Sequence, residues 1–227
     1  DFIHATLYRD GRLLATYKDG NAHLNAYLDD YAFLLDALIE LMQAEFRSSD
    51  LVWAEELADT LLDQFEDRES GGFFFTSHDH EALIHRPKPA HDNAMPSGNG
   101  IALFALQRLG HLTGNSEYLA AAERGLRVFY PAALRAATGL CSVLSALGEF
   151  LEAPQIVLLT GPAEQQQPWL RALHEHYAPR RLAIGLPADT AGLPASLAKP
   201  QRERVNAWVC QGVSCLAPIE DREELAR

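Results

Sequence analysis

Residues 27–47, YLDDYAFLLDALIELMQAEFR, decide the fold. Tyr27, Tyr31, Leu34, Leu38 and Leu41 recur at helical spacing, and Leu28, Leu35, Ile39 and Met42 widen that stripe. The stretch reads as an amphipathic helix of about six turns. Asp29, Asp36, Glu40 and Arg47 fall on the opposite face, where a solvated charge row belongs. Asp30 stands apart from them, among Leu34, Ala37 and Leu41 on the apolar flank. Burying an unpaired carboxylate is costly. Asp30 therefore either satisfies free N–H groups at the helix start or points into a cavity and meets a ligand.

Working outward, Leu51–Glu66 reads as a second helix with Trp53, Leu57, Leu61 and Phe65 on one side. A similar pair follows: Ile101–Leu112, then Tyr118–Phe129, with Ser116 as N-cap and Pro131 as terminator. The pairs repeat at an offset of roughly 65 residues. Thr138–Leu151 reads as a fifth helix. Upstream, Asp10-Gly11 marks a hairpin within Phe2–Lys18, and Gly20-Asn21 breaks the chain. Phe73–Phe75 is a short strand-like run.

The pattern changes after Pro154. Gln155–Thr160 and Arg181–Leu186 read as strands around a helix, Gln166–Tyr177: a parallel, right-handed βαβ unit. Val205–Cys210 reads as a third strand and Glu220–Arg227 as a terminal helical turn. The expected organisation is a helical body over residues 1–152 and a small α/β appendage over residues 153–227.

Composition narrows the function. The chain has 227 residues, 48% of them hydrophobic, enough for a sizeable core. A net charge of −12 argues against nucleic acid and anionic membranes as partners. No apolar run approaches the roughly 18 residues of a membrane span. The first residue is Asp1, so the chain reads as processed or as a fragment. Three cysteines do not make a secreted disulfide framework, and a cytoplasmic setting is expected.

The richest polar stretch is residues 86–99, RPKPAHDNAMPSGN. It sets Arg86, Lys88, Asp92, Ser97 and Asn99 before a helix start, where free N–H groups and a partial positive charge lie. It either lines a ligand site or merely caps the helix and stiffens a loop. His78, His80, His85 and His91 match no metal-binding spacing, so no metal is expected. Cys210 and Cys215, in CQGVSC, lack both the CxxC spacing of oxidoreductases and further zinc ligands; they read as buried or incidental thiols.

Four stretches carry a likeness: AYLDDYAFLLDALIEL, GGFFFTSHDHEALIHRPKPAHDNAMPSGNG, LTGNSEYLAAAERGL and WVCQGVSCLAPIEDREEL. In this order they resemble the thioredoxin-domain-containing family typified by spermatogenesis-associated protein 20. The resemblance implies the C-terminal part only, without the family's thioredoxin-like domain and the first barrel helices. It implies a mainly α fold, a partial (α/α)6 barrel similar to the six-hairpin glycosidases and sugar 2-epimerases, with a small C-terminal α/β unit. Tyr27–Arg47 and Ile101–Leu112 would be inner helices. Asp30 and Asp92 would then be acid/base candidates. Arg86, Lys88, Ser97 and Asn99 would bind substrate, and Tyr27 and Tyr31 would stack on a sugar ring. No cofactor is implied. His23 and His91 sit in no epimerase motif, and Asp92-Asn93-Ala94 departs from the family's Asp-Gly-Ala. The implied function is carbohydrate binding or processing, epimerase- or glycosidase-like. The alternative is a non-catalytic scaffold that docks the thioredoxin-like domain. Expected partners are a carbohydrate, a second copy, or the missing N-terminal part of the same protein.

Overall fold

A computed structural model describes residues 1–81, 83–188 and 190–225. Helices dominate, and two small sheets flank them. The chain opens with a short helix, α1 (Phe2–Leu7), where the sequence suggested a strand. A three-stranded antiparallel sheet follows: β1 (Tyr8–Arg9), β2 (Arg12–Lys18) and β3 (Asn21–Asn25). Asp10-Gly11 makes the expected turn, with φ of 50° and 75°. Asp19-Gly20 makes a second one, with φ of 51° and 79°, where only a break was read.

The organising helix, α2, runs Leu28–Ala44. It leads into α3 (Ser48–Thr60), which ends in a π-helical turn over Leu61–Phe65. The second pair is α4 (Gly98–Thr113) and α5 (Ser116–Arg135). Two local expectations are corrected here. Asn115, not Ser116, caps α5, its Oδ1 accepting from Glu117 N at 3.0 Å. The helix also continues through Pro131. Buried Ala133 holds the extra turn against the core, and Ala136 N closes it on Ala132 O at 2.9 Å. A 3₁₀ turn (Ala137–Gly139) precedes α6 (Cys141–Leu151). Phe73 makes only an isolated antiparallel bridge to Glu66, so the Phe73–Phe75 run is not a strand.

The helix α4 packs against α2, α5 and α6. Leu28, Tyr31, Leu35, Leu38, Ile39 and Met42 of the apolar stripe are buried as read, but the contact with α4 corrects part of the wheel's assignment of the α2 faces. The Asp29–Asp36–Glu40 side is turned to α4, whereas Leu41 on the supposed apolar flank is 51% exposed. A wheel shows one stripe, and α2 has neighbours on two sides. Glycine makes the approach close. A Cβ at Gly98 would fall 2.0 Å from Asp29 Oδ1, and one at Gly100 would fall 1.9 Å from Ser142 Oγ.

The α/β unit has strands β4 (Gln155–Thr160), β5 (Arg181–Gly185), β6 (Asn206–Gln211) and β7 (Ser214–Cys215), ordered β5-β4-β6-β7. β4 and β5 are parallel around α7 (Ala163–His174); β6 and β7 run antiparallel to their neighbours. Alternation puts Ile156, Leu158, Leu182 and Ile184 in the helical core. Val157, Leu159 and Ala183 face the other way, with Trp169 and Leu170 of α7. From α2, Gln43 Oε1 accepts the Ala183 N–H of β5 at 3.1 Å. A final turn, α8, spans Arg222–Leu225; Glu220 and Asp221 precede it outside the helix, and residues 226–227 of the expected terminal turn lie outside the described residues.

Candidate functional site

Asp30 closes a capping box: its Oδ2 accepts Tyr27 N–H at 2.8 Å at the start of α2. The Tyr27 ring stacks on Phe75 at 4.9 Å, and Leu28 N donates to Phe75 O at 3.0 Å. Tyr31 is fully buried; its hydroxyl accepts Leu13 N–H at 2.8 Å and its ring meets Phe65. These contacts anchor α2 to β2 and to the connection before α4.

That connection is equally engaged. Arg86 donates to Thr76 O and lies 4.1 Å over the Phe74 ring. Burial lowers its pKa first, with Asp67 opposing. Lys88 donates to Asp67 Oδ2 at 2.8 Å and Gly71 O at 2.9 Å. The Lys88 hydrogen bond is the first of several that hold Asp67 below the usual carboxylate range. Asn99 is wholly buried: Oδ1 accepts Phe73 N–H at 2.8 Å, and Nδ2 donates to Phe73 O at 2.9 Å and Pro89 O at 2.8 Å. Ser97 caps α4, its Oγ accepting Gly100 N–H at 3.1 Å.

Asp92 joins two helix starts. Its Oδ1 accepts Ser97 N–H at 2.8 Å and the Ser142 hydroxyl, and its Oδ2 accepts Ser142 N–H at 2.8 Å. Burial alone would raise its pKa; the bonds from Ser142 and Ser97 outweigh that and hold it lowered. A general acid or base works best with a pKa near the operating pH. Asp92 is tuned away from that. It does border a cavity of ≈ 540 Å³, shared with Asn93, Phe104, Cys141 and Ser145. The starts of α2 and α4 meet through Asp29 and Gly98. Asp29 is pushed up by burial and then by Asp30, against the Gly98 N–H.

Sequence reasoning passed over a buried charge cluster. Arg108 of α4 holds Glu149 of α6 through Nε at 3.0 and 3.1 Å and Nη2 at 2.7 Å. It also reaches Glu40 of α2 at 2.8 Å and Pro179 O at 2.6 Å. Burial raises Glu149 although Arg108 opposes it. Asp36, alongside, is raised to about 6, chiefly by burial; Arg108 lowers it and Glu40 and Glu149 raise it. A polar pair, Gln107-Arg108, in the middle of an otherwise apolar helix was the available signal. The thiol reading of Cys210 and Cys215 is also corrected: the two form a disulfide, because Cys210 and Cys215 are direct cross-strand partners on β6 and β7.

Among the described residues, no group of three or more His, Cys, Asp and Glu could hold a metal ion. No described helix is long and apolar enough to cross a membrane.

The chain is thus a mainly α protein whose polar connection braces its own helices. No model of a known protein family matches it. It is similar to spermatogenesis-associated protein 20 of Homo sapiens, 28% identical over 234 residues, 96% of this chain and 30% of that protein. The Mus musculus protein of the same name is 31% identical over 228 residues, 93% of this chain and 28% of that one. The Rattus norvegicus protein is 28% identical over 221 residues, 93% and 28% respectively. These similarities support the family read from the motifs, and the chain spans less than a third of the length of these relatives.

Proposed function

We propose that this chain is a non-catalytic scaffold: a helical-hairpin body that docks other parts of a longer protein, including a thioredoxin-like domain. One observation carries the reading. The polar groups expected at a sugar site already bind the chain's own atoms, from Asp30 in its capping box to Asn99 on Phe73 and Pro89. In this reading α2, α4 and α6 are inner helices, and α3 and α5 outer ones, of a partial six-hairpin (α/α)6 barrel. The packing of α4 between α2 and α6 supports that arrangement. Residues 1–152 form the body and residues 153–227 the appendage. Exposed Leu41, with Phe2 and Ile3, borders an apolar cavity of ≈ 540 Å³ and offers a face for the N-terminal part or for a second copy.

The test is sedimentation velocity of this chain mixed with the separately expressed remainder of the full-length protein. A stable complex, weakened by Leu41→Glu, is expected. No complex at tens of micromolar would refute the docking role.

A second reading keeps the carbohydrate ligand, and the cavity beside Asp92 favours it. An ionised carboxylate near Phe104 suits a sugar hydroxyl and ring face. Asp92 would then accept a hydrogen bond rather than act as an acid. Tyr27, Arg86 and Lys88 would take part only by leaving Phe75, Thr76 and Asp67. Saturable binding of a mono- or disaccharide by calorimetry, abolished in Asp92→Asn, is the expected result of this reading. Its absence across a panel would dismiss it.

A further inference from the structure

The Cys210–Cys215 bond joins two strands that already pair. Gln211 faces Ser214 across the Gly212-Val213 turn, and Leu216 N donates to Val209 O at 2.9 Å. A cross-link adds most when it closes a long loop. This one closes a sequence separation of 5 within a formed hairpin, so it restrains little that the sheet does not.

The two sulfurs sit in different surroundings. Cys210 is buried at the edge of the helical core, whereas Cys215 is exposed between Ser214 and Leu216. Lys199 Nζ lies 3.6 Å from Cys215 Sγ, and this is the only side-chain hydrogen bond of Lys199 among the described residues. A cation at that distance favours a thiolate on Cys215. Both cysteines and Lys199 border one cavity of ≈ 400 Å³, walled by Leu112, Leu119 and Leu197, which opens the bond to a reactant.

We propose that Cys210 and Cys215 form a thiol–disulfide exchange site whose co-substrate is a dithiol. A thiolate of the dithiol attacks exposed Cys215 Sγ. The Cys210–Cys215 bond breaks, its electron pair leaves on Cys210 Sγ, and Cys210 takes a proton. The second thiol of the dithiol, deprotonated, then attacks its partner sulfur and expels Cys215 as a thiolate beside Lys199. The dithiol becomes a disulfide, and the cysteine pair gains two electrons and one proton, the dithiol's other proton passing to solvent. In the reverse direction Cys215 is the nucleophile and Cys210 resolves the mixed disulfide. The absence of a helix-start CxxC does not weigh against this, since the strand register supplies the proximity that such a turn supplies elsewhere. The site is independent of the docking role and of any sugar binding.

The test uses dithiothreitol and the intact chain. Native protein is reduced, trapped with iodoacetamide and read by mass spectrometry, with circular dichroism recorded alongside. Reduction without loss of the fold is expected. A bond that opens only on unfolding, or a fold that collapses on reduction, would overturn the proposal. Cys210→Ser frees Cys215 for a second measurement. Its alkylation at pH 7 should be on the order of tenfold slower when Lys199→Gln is added, with the pH profile moved upward. Equal rates and profiles in the two variants would overturn the role of Lys199 and with it the directed exchange.

Discussion

Replacing Arg108 by alanine isolates the largest single electrostatic commitment in the helical body. Arg108 and Glu149 are 4% and 1% exposed, and three N–H···O contacts join them. The Glu40 bridge is half in water and contributes little. What matters is the Glu149 carboxylate, left in the core among α4 and α6. Removing one partner of such a pair costs about 3–5 kcal/mol. For a chain of this length that lowers Tm by roughly 6–20 °C. The penalty depends on pH. Burial already raises Glu149, and without Arg108 its native pKa rises further above the unfolded value. The cost is therefore full above that raised value and shrinks as the pH falls towards the ordinary carboxylate range. Urea unfolding at pH 5 and pH 8 measures both effects. The companion variant, Arg108→Met with Glu149→Met, removes both charges at similar volume and should recover most of the loss or exceed wild type. A single variant costing under about 1 kcal/mol, or a double variant as poor as the two singles combined, would refute the reasoning.

Three further outcomes follow from the same geometry. Asp36 titrates at about 6 in the fold against an ordinary 3.8, so its ionisation opposes folding. Its contribution is intact below pH 3.8 and falls by about 3 kcal/mol as the pH rises through 6; Asp36→Asn should remove that dependence in denaturation curves across this range. Asn99→Ala leaves the buried Phe73 N–H and two carbonyls unmatched, and should cost about 2–4 kcal/mol with faster amide exchange at Phe73; exchange unchanged there would count against the clamp. Asp30→Ala leaves the Tyr27 N–H without its acceptor and should lose about 0.5–2 kcal/mol by thermal melting, and an unchanged melting temperature would reopen a ligand role.

The sequence disclosed elements better than it disclosed neighbours. Both helix pairs, the Asp10-Gly11 hairpin and the parallel β4–β5 pair were readable, because each leaves a local period or turn signal. Asp19-Gly20 carried the same turn signal as Asp10-Gly11 and could have been used. The face of α2 that meets α4 was not readable. Asp29, Asp36 and Glu40 look solvated until Gly98 and Arg108 arrive from residues about 70 positions away in the chain. For the site, the polar inventory of residues 86–99 was visible, but its partners were not. Lys88 meets Asp67, and Asn99 meets Phe73, by contacts that no spacing rule encodes. The Cys210–Cys215 bond escaped for a related reason: it depends on β7, a two-residue strand too short to show alternation.

The bond from Gln43 to Ala183 has a consequence for solubility. β5 is the outer strand of its sheet, and an open strand edge is a template for another chain. Gln43 occupies one N–H of that edge with a side-chain oxygen, and α2 packs alongside β5. The helix therefore acts as a guard rail against edge-to-edge aggregation. Fraying of the last turn of α2 would expose that template while the rest of the body stayed folded, making this helix end the place where self-assembly begins.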